Sequence, residues 1–236
     1  MSGHISDLFI VEAKLVLDSS ESETPGDTLR RAVLALGDFR GAPFAPEGQR
    51  AASFLRGETM ATRLSLVHPH FTEAAGAPNS WLSTSVDTDG PHRLVFLGIH
   101  LGRDDEQIDL EWRVGLEVMP RLVTELTPMV AFMNGRLVDV ERSVLPNRTT
   151  YAGPGLPTEF VPWNYVDGSR LVGDTKRWLS ALPAARSGPL GKGWLIQSVE
   201  TLRDDLPAGF AEVLDNLRPP IQYRDPIVSS RPRGRQ

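Results

Sequence analysis

The chain of 236 residues is 40% hydrophobic and 23% charged, with a formal net charge of −5. That is the balance of a globular protein long enough to bury a core without disulfides or a structural metal. The absence of cysteine excludes a disulfide scaffold, a thiolate zinc site, an iron–sulfur cluster and a cysteine nucleophile.

The opening stretch, MSGHISDLF, lacks the basic-then-apolar pattern of a secretory signal, and a cytoplasmic location is expected. Phe9, Val11, Ala13, Leu15 and Leu17 alternate and predict a strand. The acidic run 18–27 reads as an exposed loop. Thr28 is placed as the cap of a helix carrying Leu29, Ala32, Val33 and Leu36, which Gly37 ends. Residues 38–48 read as loop, and a short helix is expected over 49–56. Strands follow at Ala61–Val67, Trp81–Val86 and Arg93–Leu101, the last two joined in a hairpin by Asp87–Gly90.

Ile108, Leu110, Trp112 and Val114 alternate again and predict another strand. Pro120 then suits the first turn of a helix bearing Leu122, Val123 and Leu126, which Pro128 stops. Asn134-Gly135 between apolar runs predicts a hairpin turn. Residues 141–162 read as a long connection, and Trp178, Leu179 and Leu182 as part of a short helix within 170–182. Trp194–Val199 is a strand, and Leu206–Leu217 a closing helix. The tail RPRGRQ (231–236) is basic and expected to be disordered. Turns rather than crossover helices join most of these strands. The expected class is therefore α+β: a mainly antiparallel sheet flanked by helices, one domain over residues 1–230.

The stretch GPLGKGWLIQSVE (188–200) superficially resembles a phosphate loop. It fails the test, because the glycine spacing before Lys192 is wrong and the loop enters a strand, not a helix whose amides would hold an anion. His68, His70, His92 and His100, with Asp87, Asp89 and Asp104 near in sequence, allow an alternative reading as a metal-assisted hydrolase, although no spacing among them is diagnostic. No Gly-x-Ser-x-Gly elbow occurs. Trp163 and Tyr165 share a strand face, as core residues or as anchors of a contact surface. No apolar run is long enough to cross a bilayer. The modest acidity argues against direct nucleic-acid binding, which goes with a basic face.

Several segments together carry a resemblance: Pro162-Trp-Asn-Tyr-Val-Asp with Arg170-Leu171, then Leu182-Pro183, then Leu190-Gly-Lys-Gly-Trp-Leu-Ile and a closing helix. Over about residues 115–217 the chain resembles bacterial immunity proteins of polymorphic and type VI toxin systems, nearest to the group called immunity protein 52. The resemblance implies an α+β fold, a cognate toxin (a nuclease among the candidates) as partner, no catalytic residues and no cofactor. Acidic residues would complement a basic toxin, which points to Glu21, Glu23, Asp104, Asp105 and Glu106, with Trp163 and Tyr165 as possible contacts. A phage or accessory assembly protein is the remaining alternative.

Overall fold

The structure, a computed structural model, describes residues 9–18, 23–39, 41–46, 50–68, 81–100, 105–137 and 144–226. The first unit is strand β1 (Phe9–Asp18), then helix α1 (Pro25–Leu36). Three two-residue strands follow, β2 (Asp38–Phe39), β3 (Ala42–Pro43) and β4 (Ala45–Pro46), and then α2 (Arg50–Leu55). Strands β5 (Arg63–Val67), β6 (Trp81–Asp89) and β7 (His92–His100) lead to the long helix α3 (Asp105–Leu126). Beyond it lie β8 (Val130–Leu137), the short helix α4 (Arg148–Tyr151), β9 (Glu159–Phe160) and β10 (Trp163–Val166). A 3-10 turn (Gly168–Arg170), α5 (Thr175–Ala181), β11 (Arg186–Leu190), β12 (Gly193–Gln197), α6 (Phe210–Asp215) and β13 (Gln222–Tyr223) complete the chain.

One nine-stranded sheet organises the molecule, in the order β11-β12-β10-β8-β1-β7-β6-β5-β4. Every neighbouring pair in it is antiparallel, so the α+β class holds. Strand β1 lies at the centre because both its faces are buried. Val11, Ala13, Leu15 and Leu17 pack beneath α1 and α3, with Val95, Leu97 and Ile99 of β7 and Trp163, Tyr165 and Leu195 beyond. Val16 faces the other way. With Leu94, Val130, Phe132, Val166 and Ile196 it is covered by Leu145, Tyr151, Phe160, Leu179, Phe210 and Leu214. Helices α1 and α3, the sheet, and those parts of 144–226 that lie outside the sheet strands β10, β11 and β12 thus form three layers. At one edge of the sheet, Pro189 in β11 supplies no N–H to a further strand, a common way of blunting an edge.

Helix α1 starts one turn earlier than the cap expected at Thr28. Thr24 and Asp27 form a reciprocal capping box, Pro25 occupies the first turn, and Gly37 at φ 58° ends the helix; this is the pairing that favours helix starts. Thr28 instead lies buried within the helix and accepts a hydrogen bond from Arg93 at 2.8 Å.

Further expectations change. The strand expected at 108–114 is part of α3, and Pro120 lies inside that helix, not at its start. The buried residues Ile108, Glu111, Trp112, Val118, Met119, Leu122, Val123 and Leu126 recur at three- and four-residue steps, and that face packs on the sheet. The apparent alternation counted Leu110, which is only partly buried. Asn134-Gly135 does not turn. Both lie within β8, opposite Glu12 and Val11 of β1, and the buried Asn134 side chain accepts from the Gly135 N–H at 2.8 Å. The closing helix shrinks to Phe210–Asp215, because Pro207 and Gly209, at φ 81°, precede it. Within 38–48, expected as loop, Asp38–Phe39, Ala42–Pro43 and Ala45–Pro46 form small ladders, and the β6–β7 turn is Gly90-Pro91 since the strands run on to Asp89 and His92. The expected tail at 231–236 lies outside the described residues. Among the described residues no helix is long and apolar enough to cross a membrane.

Candidate functional site

Of the acidic residues singled out in the sequence, Glu21 and Asp104 lie outside the described residues. Asp105 and Glu106 open helix α3. Glu23 turns inward, with its carboxylate 3.1 Å from Arg31 and 3.7 Å from Arg93. Its charge is spent on holding the start of α1, where Arg93 also donates to the Glu23 carbonyl.

Trp163 and Tyr165 do share a face, but it is the core face, and each is only 1% exposed. Of the two places the sequence allowed them, they occupy the core: β8 and β12 flank their strand, and α3 belongs to the same core cluster. Burial and the nearby Asp167 carboxylate push the Tyr165 hydroxyl up to about 12.

The described histidines do not converge. His68 is buried, with Nε2 2.8 Å from the Ala42 carbonyl and its ring 4.9 Å from that of Phe44. His100 Nδ1 lies 3.6 Å from Glu111, and both are buried. His92 Nδ1 lies 3.8 Å from Asp18. His70 lies outside the described residues. Among the described residues no group of three or more His, Cys, Asp or Glu is placed to hold a metal.

The glycine-rich stretch is a β-hairpin. Strands β11 and β12 pair from Arg186↔Gln197 to Leu190↔Gly193, and Gly191 and the exposed Lys192 form the tip. Its glycines allow close approach of backbone. A Cβ at Gly193 would run into the Val166 carbonyl and the Tyr165 ring, and one at Gly168 into the Lys192 carbonyl.

A concave site emerges where the sequence showed only a long connection. A cleft of about 590 Å³ lies between residues 149–158, 172–178 and 217–221, with Leu156, Val172, Trp178 and Pro219 among its apolar walls and Asp174 and Arg218 as charged groups. Its size falls in the range of ordinary binding sites. Val172 is 65% exposed, so an apolar side chain stands open at the site.

Arg170 builds one wall. Its guanidinium donates to the carbonyls of Gly155 at 2.8 Å, Tyr151 at 3.2 Å and Gly153. One planar cation thereby fixes three carbonyls of an irregular segment that has no ladder to satisfy them. Behind it, Asn147 accepts from the hydroxyls of Thr149 at 2.7 Å and Thr150 at 3.3 Å. Sequence periodicity could not find this cleft, because its walls are loops; the available signal was the cluster of Gly and Pro at 153–157 upstream of Arg170.

No protein-family model matches the chain, and no curated protein matches it. Among solved structures, the chain is similar to the Pseudomonas aeruginosa T6SS protein PA0821, with a TM-score of 0.53 at 12% identity, over 91% of this chain and 73% of that one. At that identity the likeness is one of fold.

Proposed function

We propose that this chain serves a type VI secretion system as an immunity-type interaction protein, one that binds and neutralises a cognate toxin in the cytoplasm without catalysis of its own. The observation that carries the reading is the fold shared with a T6SS protein across 91% of the chain. The resemblance over residues 115–217 to immunity proteins of the same kind of system points the same way.

The cleft supplies a place for the contact. Its walls are held by side-chain-to-backbone hydrogen bonds, so little ordering entropy is lost when a partner's apolar side chain enters. Trp178 offers the aromatic anchor that such contacts favour. The net charge of −5 suits a basic toxin such as a nuclease. Glu21, Asp104, Asp105 and Glu106 are proposed as steering carboxylates, whereas Glu23 is already engaged within the protein.

The test is co-expression with the toxin encoded beside this gene. The proposal expects growth of the intoxicated cells to be restored and a stable complex of the two purified chains. Failure to protect against every adjacent toxin, with no complex formed, would overturn it.

A further inference from the structure

Lys14 sits in the middle of β1, opposite Phe96 of β7 and Phe132 of β8, and is 6% exposed. Its Nζ donates to the Pro146 carbonyl and lies 4.8 Å from the centre of the Tyr151 ring. The two preceding carbonyls are held in the same manner. Leu145 accepts from Arg224 at 3.3 Å, and Val144 from Asn134 at 3.3 Å. Three consecutive carbonyls thus end on three side-chain donors drawn from β1, β8 and the segment after β13. With the Arg170 contacts further along, residues 144–155 form a strap held across the sheet by side-chain donors, and its distal half is a wall of the cleft.

The charged groups around Lys14 are set at longer range. Asp89, at the end of β6, is paired with Arg148 at 3.0 Å and lies 3.3 Å from the Tyr151 hydroxyl. Glu159 of β9 is paired with Arg224 at 2.5 Å. On neighbouring positions Glu12 is paired with Arg136, and His92 lies near Asp18. Asp89 and Glu159 favour the ammonium, while Arg224 and burial oppose it.

We propose that Lys14 is a proton-linked latch: closing the strap strips water from its amine, so a charged Lys14 favours the open strap and a neutral one the closed strap. A neutral amine still donates to the Pro146 carbonyl, so closure keeps that hydrogen bond while losing the buried charge. Burial brings the closed-state lysine down from 10.5 to about 8, whereas an open strap returns it to water. The closed state then binds the proton less tightly. Its share rises with pH between about 8 and 10.5 and levels off below that window. From about pH 7.5 to about pH 9 the open fraction falls roughly tenfold. The latch would set the shape of the cleft wall whatever partner binds there.

Tryptic cleavage after Arg148, in the strap, reads the opening directly. It is scored by mass spectrometry against an unstructured peptide of the same sequence, to remove the protease's own pH response. Cleavage after Arg113, in the middle of α3, reports opening of the whole fold. The latch requires Arg148 to be cut faster than Arg113, with a rate that drops roughly tenfold from about pH 7.5 to about pH 9. Lys14→Met should leave Arg148 protected at both pH values. Equal cleavage at the two sites, a flat wild-type response, or the same pH response in Lys14→Met would overturn the proposal. Should Lys14→Met fail to fold, NMR titration of the wild-type lysine side chains decides: the latch needs the Lys14 signal and the amides of residues 144–151 to move together with a midpoint near 8, and an ordinary lysine midpoint would refute it.

Discussion

Gly193 has no room for even a methyl group, because a Cβ would meet the Val166 carbonyl and the Tyr165 ring. Gly193→Ala should therefore cost about 1–3 kcal/mol in chemical denaturation, although alanine is otherwise an undemanding residue in a strand. Its neighbour Trp194 is half-buried and donates to Ser187 Oγ at 2.8 Å, which in turn donates to the Leu179 carbonyl at 2.8 Å. Trp194→Ala should cost about 2–3 kcal/mol, below the range for a fully buried tryptophan. The three tyrosines give a pH test. Burial leads the upward push on each hydroxyl, to about 12 for Tyr151 and Tyr165 and upward also for Tyr223. Each raised group stabilises the fold below the unfolded value, about 10, and that stability is lost as pH rises through the folded value. Phenolate absorbance of the native protein should stay low at about pH 10.5, where the denatured chain is largely ionised. Matching titration curves for the two states would contradict the burial described. That the Gly191–Gly193 stretch leads into a strand was legible in the sequence, because an alternating strand is a local signal, whereas its pairing with Arg186–Leu190 was not. For Trp163 and Tyr165 the sequence left core and contact surface both open, since the choice depends on β8 and β12 closing around their strand.

At the scale of elements, the sequence revealed periodic segments better than their ends. Helix α1 and strand β1 were legible because their apolar residues repeat with one clear period, and β6 and β7 because a turn signal lies between two strand-like runs. The segment 108–114 misled because its apolar residues satisfy a strand pattern, while helical spacing is evident only over the whole of Asp105–Leu126. Asn134-Gly135 misled because pairing with β1 outweighs a local turn preference. The cleft walls have no period at all and are specified by single donors. Arg170→Met keeps much of the side chain's bulk but leaves the carbonyls of Tyr151, Gly153 and Gly155 without their donor. The expected cost is about 1.5–3 kcal/mol, with faster amide hydrogen exchange concentrated in residues 151–158. Unchanged exchange in that segment would show that Arg170 does not hold the wall.

For the whole molecule, the antiparallel α+β class was legible because short turns link so many of its strands. The order of the sheet was not, because β1 pairs with β7 and β8 only after long intervening stretches of chain. Nor was the burial of both sheet faces, which makes Lys14 an interior residue and turns the parts of 144–226 outside strands β10, β11 and β12 into a cover with a cleft in it. The central claim is that this cleft anchors a partner of the secretion system. The most direct measurement compares wild type and Val172→Asp for binding to the proposed toxin partner, once co-expression has identified it, by calorimetry, with unfolding midpoints recorded in parallel. Val172 is 65% exposed, so the substitution should leave the midpoint within a degree or so while placing a charge at an apolar wall. The account predicts at least a roughly tenfold loss of affinity, about 1.4 kcal/mol, with the fold intact. Binding by Val172→Asp as tight as that of wild type would contradict it.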